Sequence, residues 1–596
     1  MNRRGVVVTD GNERATLAVV RSLGKQGIPV FVGAETPGSL AALSRYCTAS
    51  FTYPSPWRDP QGYVDRLLEV IGEHAPAALF PMTDIAMELV GEQRAAFERV
   101  TALPGPTLDQ YHALSDKVAL ARWAERSGVP VPATIYVEDG VIDAALAAID
   151  RWPVVVKPGR SLLKTDGRWR KTGVLIARDA DDLRKIYHDH WFLKQPSMIQ
   201  AYVTGHGEGV FGIFEDGVPT ELFAHRRLRE RPPSGGVSVY REAIALPEPM
   251  TRYALRIMES VGWNGVAMIE FKVDPVSGTP YLMEVNGRFW GSLQLAIDAG
   301  VDFPMALYRG IETSVRGRDV PTYRTGVRSQ WWLGDLDHVV SRIKDLRRGA
   351  APSAAQPSLL KTIGSLVNVF DRNTRNEMLP LSDPRPGLVE LGRYAKQKVG
   401  AVRDKGGRVL TRATGGLSRR VAERRLRSGG HDRDVARRFP ARAQDILVLC
   451  RGNICRSPFA EEWIRRGARA RGLDVAVSSA GLDAIEGRHA FPMAETVAPR
   501  FGIDLAAHRA RHTNPAMVDA ADLILVMEPE HVRQMAALYP STATPVFLLG
   551  HFTPGQPVSE IADPYGQSAE RFSHCFDELV AACDGFLDEL EKRLRG

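Results

Sequence analysis

No stretch of eighteen consecutive apolar residues occurs in this chain, so a membrane-spanning helix is not indicated. Cysteine is scarce: five in 596 residues cannot build a disulfide framework, and two of them lie five apart in one glycine-containing loop. That usage points to thiol chemistry in a reducing compartment, and the expectation is a cytoplasmic protein. The N-terminal apolar run after Arg3-Arg4 breaks too early for a signal-peptide core and reads as a first buried strand, Val6-Val7-Val8. The turn that follows, Thr9 to Arg14, lacks the G-x-G-x-x-G spacing of a dinucleotide site. No internal repeat is present.

What is there is the composition of an ordinary globular protein, 44% hydrophobic and 25% charged, long enough for three or four domains. The net charge of +7 is unevenly placed: between Arg393 and Arg442 sixteen Lys or Arg stand against four Asp or Glu. Nucleic-acid recognition would need such charge on a folded face interleaved with aromatics. Here it lies among Gly-Gly pairs, which reads as a solvated linker with some helix; contact with an anionic surface is the alternative.

From Val6 to about Thr134, short apolar runs alternate with helix-period stretches such as Ala15 to Gly24, the rhythm of a parallel sheet. From about Trp152 to Gly310 the pattern becomes strands in hairpins, and a partly helical stretch runs on to about Gly392. An alternating α/β pattern restarts at Ile446-Leu447-Val448-Leu449.

That last strand runs into Cys450-Arg451-Gly452-Asn453-Ile454-Cys455-Arg456-Ser457-Pro458, and a helical stretch follows over Phe459–Arg471. A loop closing onto a helix start turns several N–H groups and a positive dipole end toward an anion. The same groups favour a thiolate at the loop's mouth, which is Cys450. Arg456 can return to hold two phosphoryl oxygens as a fork, Ser457 can donate to the thiolate, and Gly452 and Asn453 suit a partly left-handed backbone. Displacement at phosphorus also needs an acid for the leaving oxygen, and Asp563, before Pro564-Tyr565-Gly566, is the candidate.

With Ser478-Ser479-Ala480-Gly481, Gly502–Leu505, His508–Arg511, Ala521–Met527 and Asp563–Gly566 in order, the segment resembles the low-molecular-weight protein tyrosine phosphatases over its whole length. The resemblance implies an α/β domain with a central parallel sheet. It makes Cys450 the nucleophile, Arg456 the phosphate clamp and Asp563 the general acid, with Arg451, Gly452, Asn453, Ile454, Cys455 and Ser457 lining the phosphate site and no cofactor required. Protein-arginine phosphatases share the fold but tend to carry threonine at the position of Ile454, so phosphotyrosine on a protein is the expected substrate. Related arsenate reductases need redox cysteines in mid-domain, whereas Cys575 and Cys583 have core spacing. Cys455 is either a disulfide partner for Cys450, as in the family, or a packing residue. Many members have an aromatic wall after Ser-Ala-Gly; this chain has Leu482-Asp483-Ala484-Ile485, leaving Tyr565 or Phe491 to supply it.

The front half carries a more diffuse set. Glu270 closes a strand over Val266–Glu270, and Glu284 and Asn286, two apart on the next strand, share one face. Two carboxylates and an amide form a hard oxygen site suited to Mg²⁺ held against a triphosphate. Lys157 ends a buried strand where an ammonium calls for an anion. Lys117 opens a helix, and Arg288 lies on the face of Asn286, placed to stabilise charge on a transferring phosphoryl group.

Together with Leu114-Ser115-Asp116-Lys117, Val156-Lys157-Pro158, Ile199–Gly205, Pro232–Ser238 and above all Glu284–Ser292, these residues resemble the carboxylate–amine ligase-like members of the ATP-grasp superfamily. That implies nucleotide held between two α+β subdomains by Lys117, Lys157, Gln200, Ala201, Tyr202, Val203 and Glu208. It also implies Mg²⁺ on Glu270, Glu284 and Asn286, catalytic help from Arg288, and an acyl phosphate captured by an amine. Two departures stand out: Ala201 where glutamate is usual, and a basic cover loop after Lys157 (Arg160, Lys164, Arg168, Arg170, Lys171).

The expected order is a pre-ATP-grasp α/β subdomain (1–114), an ATP-grasp domain (115–315), its C-terminal extension (316–392), a basic linker (393–442) and the phosphatase (443–596). The expected protein is bifunctional, joining a phosphotyrosine phosphatase to an ATP- and Mg-dependent ligase acting on a small carboxylate and an amine. The alternative is a phosphatase regulated by a non-catalytic ATP-binding module.

Overall fold

The computed structural model describes residues 3–311 except 166 and 234, then 313, 322–347, scattered positions from 359 to 371, 373–396, 398, 438–440, 442–539, 542–555 and 560–595. Two compact units emerge, Met1–Lys398 and Val399–Gly596. Ser234 and nearly all of the basic stretch fall outside the described residues.

Three larger sheets and a two-stranded hairpin build the described part of the first unit. Strands Val6–Val8, Val30–Ala34, Ala49–Thr52 and Ala78–Phe80 form a parallel sheet with Val6–Val8 inside, fed by helix Arg14–Lys25. The all-valine strand is buried on both faces, as a parallel sheet covered by helices requires. The chain then passes through helix Leu108–Ser115, closed by a Thr107–Gln110 capping box, and helix Lys117–Arg126, capped by Asp116. A four-stranded antiparallel sheet follows, with Ser197–Ala201 between Thr134–Val137 and Val154–Pro158.

The third sheet has seven strands, and its long hairpins His206–Glu215, Val218–Arg231 and Val237–Ile244 pair with Gly265–Val273 and Pro280–Asn286. The strand bearing Glu270 runs three residues beyond the expected end. A register shift after Glu270, with Met283 left over on the partner strand, sets Glu270 opposite Glu284. The stretch read as a partly helical extension contains helix Trp332–Arg347 and also two strands, Arg328–Gln330 and Thr374–Asn376, which complete the sheet. Three-residue strands give too short an alternation to show in a sequence.

The second unit is a four-stranded parallel sheet in the order Ala476–Gly481, Asp445–Cys450, Leu523–Val526, Val546–Leu548. Helices Arg456–Ala470 and Ala569–Arg595 pack on it through Phe459, Phe576, Leu579 and Phe586. The first of these begins at Arg456, three residues before the expected Phe459, because the loop closes directly into the helix. Cys575 and Cys583 lie in this core, as their spacing implied. Among the described residues no helix is long and apolar enough to cross a membrane.

Candidate functional site

At the C-terminal end of the inner strand Asp445–Cys450, the Cys450 sulfur receives the Asn453 N–H at 3.2 Å and lies 3.0 Å from Ser457 Oγ. Asn453 is the hub of the loop. Its φ is +51°, the left-handed region that the sequence anticipated. Its side chain donates to Ser457 Oγ (2.9 Å) and Ser479 Oγ (2.8 Å) and accepts from the Arg511 N–H at 2.8 Å. The His508 ring meets its carbonyl at 2.7 Å. The Ser-Ser-Ala-Gly and His508–Arg511 motifs thus brace the loop and keep the Asn453 N–H turned to the Cys450 sulfur.

Arg456 is 1% exposed. Its Nη1 donates to Glu528 Oε1 and to the Ile561 carbonyl at 2.9 Å, and its Nη2 lies 2.9 Å from Asp563 Oδ2. Its Nε has no partner among the described residues. Burial opposes the charge, but Cys450, Asp563 and Glu528 together hold the guanidinium above its ordinary range. The structure therefore brings Cys450, Arg456 and Asp563 to one mouth.

Glu528 was not anticipated. It stands just beyond strand Leu523–Val526, which neighbours the Cys450 strand in parallel, and carboxyl ends of neighbouring parallel strands are where such folds gather site residues. Arg451 is exposed, 3.5 Å from Asp483. Ile454 and Cys455 are buried, and burial, reinforced by Cys450, pushes the Cys455 thiol well up. Cys450 and Cys455 are both free thiols. The Phe491 and Tyr565 rings stand 4.7 Å apart beside Asp563, with Tyr565 half exposed, where the aromatic wall was sought.

In the first unit, Glu270 and Glu284 are direct cross-strand partners, and Asn286 Nδ2 donates to Glu284 Oε1 at 3.0 Å. Burial raises Glu270 to about 7, with Arg227 opposing and Glu284 adding to the rise. Glu284 moves down: burial works against it, but Lys117, Asn286 and Lys157 outweigh that. Lys117 Nζ lies 3.9 Å from Glu284 and donates to Ser161 Oγ at 2.7 Å. Lys157 is lowered by burial to about 8, partly offset by Glu284.

Among the described residues no three His, Cys, Asp or Glu converge to hold a metal ion. Two carboxylates and one amide are the hard oxygen donors that Mg²⁺ takes, and here Arg227 Nη2 stands 2.5 Å from Glu270 Oε2.

Arg288 is turned to Asp84, donating from Nε at 2.7 Å and from Nη2 at 3.0 Å. Asp84 also accepts from Tyr111 at 2.9 Å, so this guanidinium is fixed from the parallel-sheet subdomain. Gln200 binds Thr134 through Nε2 (3.0 Å), and the Ala201 N–H is taken by the Ala133 carbonyl at 2.9 Å. Tyr202 lies under Lys272, Val203 follows it half-buried, and Glu208 meets His206 at 2.9 Å. The basic cover is a hairpin, Leu162–Thr165 with Arg168–Lys171. Leu162 and Trp169 pack against the parallel sheet, while Arg160 and Lys164 bind Glu88 and Glu92 of helix Asp84–Glu92 at 3.1 and 2.9 Å. Part of the unusual charge of that loop is therefore spent on holding it down.

The family model "Low molecular weight phosphotyrosine protein phosphatase" matches residues 445–595. A second, "ATP-grasp in the biosynthetic pathway with Ter operon", matches residues 220–333. The C-terminal segment is 39% identical to the low molecular weight protein-tyrosine-phosphatase Wzb of Escherichia coli over 135 residues, 23% of this chain and 87% of that protein. It is 36% identical to Etp of the same organism over 147 residues, 25% of this chain and 95% of that protein. Among solved structures, the YwlE arginine phosphatase from Geobacillus stearothermophilus aligns at 32% identity over 25% of this chain and 94% of its own, with a TM-score of 0.23.

Proposed function

Through residues 445–595 the chain belongs to the low-molecular-weight phosphotyrosine protein phosphatase family, joined in one polypeptide to an ATP-grasp domain, and from that premise we propose how each half works. In the phosphatase, the Cys450 thiolate attacks the phosphorus of a phosphotyrosine side chain. Asp563 gives its proton to the departing phenolate oxygen, and a phosphocysteine forms. Asp563, now a carboxylate, takes a proton from water as the water attacks that intermediate, and phosphate leaves with the thiolate restored. Arg456 supports the equatorial oxygens through Nε and the Nη2 that Asp563 gives up as it turns to the leaving group.

The observation that carries this reading is the convergence of Cys450, the Asn453 N–H, Ser457, Arg456 and Asp563 at one strand end. Phosphotyrosine over phosphoarginine is supported by Ile454 and by the Phe491–Tyr565 pair beside the acid. The reading is tested by rapid quenching of a ³²P-labelled phosphotyrosine peptide. Label trapped on Cys450, accumulating in Asp563→Asn when an activated aryl phosphate replaces tyrosine, is the expected result; label on no residue would overturn it.

For the first unit the proposed activity is ATP-dependent joining of a carboxylate to an amine. ATP-grasp domains generally use ATP with Mg²⁺, and Glu270, Glu284 and Asn286 would hold the ion, which when bound would neutralise phosphate charge. Lys117 and Lys157 meet phosphate oxygens, and Gln200 to Val203 border the base. Arg288, steadied by Asp84, faces the transferring group. Support comes from Lys117, 3.9 Å from the Glu284 carboxylate, from the charge of buried Lys157 acting on the same carboxylate, and from the paired carboxylates. ADP release that rises only when an acid and an amine are both supplied supports the ligase. Nucleotide binding with no such rise across a broad panel leaves a regulatory module.

A further inference from the structure

A second polar cluster lies on the face of the seven-stranded sheet that carries Glu270. The register pairs Glu270 with Gly209, Gly209 with His225, and Arg227 with Arg241, so Glu270, His225, Arg227 and Arg241 share that face. At its far end the buried carboxylate of Glu377 is shared between two arginines, Oε1 accepting from Arg14 and Oε2 from Arg241. Arg241 is fully buried and otherwise donates to the Ser238 carbonyl at 3.1 Å and Ser329 Oγ at 3.3 Å. Its Nε is buried without a partner among the described residues, and so is Nδ1 of His225, whose Nε2 meets Ser292 Oγ at 2.8 Å.

Two guanidiniums in contact with one carboxylate leave positive charge and directed donors in excess. Burial, then the charges of Arg14 and Arg227, drive Arg241 well below its ordinary range, while burial brings Arg14 to about 10. Glu390 and Asp298 offset this only from a distance, and the partners of Arg227 are Glu270 and Glu230. Glu377 neutralises one of the two guanidiniums, and the second positive charge is left for a further anion to meet.

The cluster meets solvent on one side. Arg14 stands over the Trp331 ring, its guanidinium carbon 4.2 Å from the centroid, with 13% of its side chain exposed. Its Nη2 reaches Gly291, an exposed residue where a β-carbon would stand only 3.1 Å from that nitrogen.

We propose that Arg14 and Arg241, bridged by Glu377, anchor a second, non-reacting carboxylate of the acid substrate. This rests on the ligase reading and narrows its substrate class. Strands Gly265–Val273 and Val237–Ile244 are separated by two others, so anchor and metal carboxylates lie about 14 Å apart at strand spacing. The substrate is therefore an elongated acid with carboxylates at both ends, activated beside Glu270 and Glu284 and held at the other end by the arginine pair.

The test uses the full chain with sodium dodecanedioate, whose extended carboxylates stand about as far apart as anchor and metal site, and inorganic phosphate as probes, titrated calorimetrically with and without MgADP, beside Arg14→Gln and Gly291→Ala. Diacid binding weakened at least tenfold by Arg14→Gln and several-fold by Gly291→Ala, with MgADP affinity unchanged, is the expected result. Equal diacid binding by all three proteins, or none by any, overturns the anchor. Arg14-dependent binding of phosphate but not the diacid overturns its assignment to a carboxylate. Arg14-dependent diacid binding in a chain that takes no MgADP supports the anchor and sinks the nucleotide reading instead.

Discussion

Arg456 and Asp563 stand 2.9 Å apart across the mouth of the phosphate loop, the clamp and the acid of the proposed mechanism joined before any substrate arrives. The Asp563 carboxyl is 37% exposed while the guanidinium is 1% exposed, so the acid can turn outward and the arginine cannot. Arg456 is held in place from behind.

That hold is Glu528. Glu528→Ala leaves a buried guanidinium short of a charged partner, at a cost of about 1–3 kcal/mol. Steady-state kinetics on an aryl phosphate are expected to show kcat/KM falling roughly ten- to hundredfold. Glu528→Gln, which keeps an acceptor, is expected to recover part of that loss. Full activity in the alanine variant would assign Glu528 to packing alone.

Asn453 combines a left-handed backbone with four bracing contacts. Asn453→Gly relieves the backbone and loses the side-chain bonds, whereas Asn453→Ala loses both, the left-handed conformation adding about 1–2 kcal/mol. Thermal melts should therefore order wild type above Asn453→Gly above Asn453→Ala, with activity strongly reduced in both variants. Equal melting temperatures for the two would remove the backbone argument.

Lys157 is a buried ammonium lowered to about 8 from an ordinary value near 10.5. The folded state binds this proton less tightly than the unfolded chain, so its charge costs stability below about pH 8, and the cost fades as pH rises toward 10.5. Lys157→Met is expected to lose most ATP affinity yet raise the melting temperature at pH 7 by roughly 2–4 °C. The gain should shrink above pH 10. A less stable variant at pH 7 would mean the ammonium already has a sufficient partner.

Glu270, held by burial near 7, is protonated below that pH, and protons then compete with the cation it would bind. Apparent Mg²⁺ affinity in the presence of ADP should climb by up to about tenfold per pH unit below pH 7 and level off above it. Glu270→Gln should flatten the profile. A pH-independent affinity in the intact chain would take Glu270 out of the ion's shell.

The phosphatase loop was legible because strand, loop and helix are consecutive, and nucleophile and clamp lie six residues apart. Its braces were legible only as motifs, since Asn453 meets Ser479, His508 and Arg511 through tertiary contacts with no sequence period. The pairing of Glu270 with Glu284 depended on a register shift that alternation cannot reveal. The Arg288–Asp84 link joins residues 204 apart, and the Arg241–Glu377 contact reaches an extension read as partly helical. The cover hairpin shows the same limit: its basic residues read as an unusual phosphate cover, and acids of a distant helix explain part of that charge.

The phosphatase mechanism is decided by turnover of a phosphotyrosine peptide and of phosphoarginine by the full chain, beside Cys450→Ser and Asp563→Ala. Preference for phosphotyrosine, no turnover in Cys450→Ser, and kcat lowered roughly a hundredfold or more in Asp563→Ala are expected. Turnover that survives Cys450→Ser, or hydrolysis of neither substrate, would refute a Cys450 nucleophile.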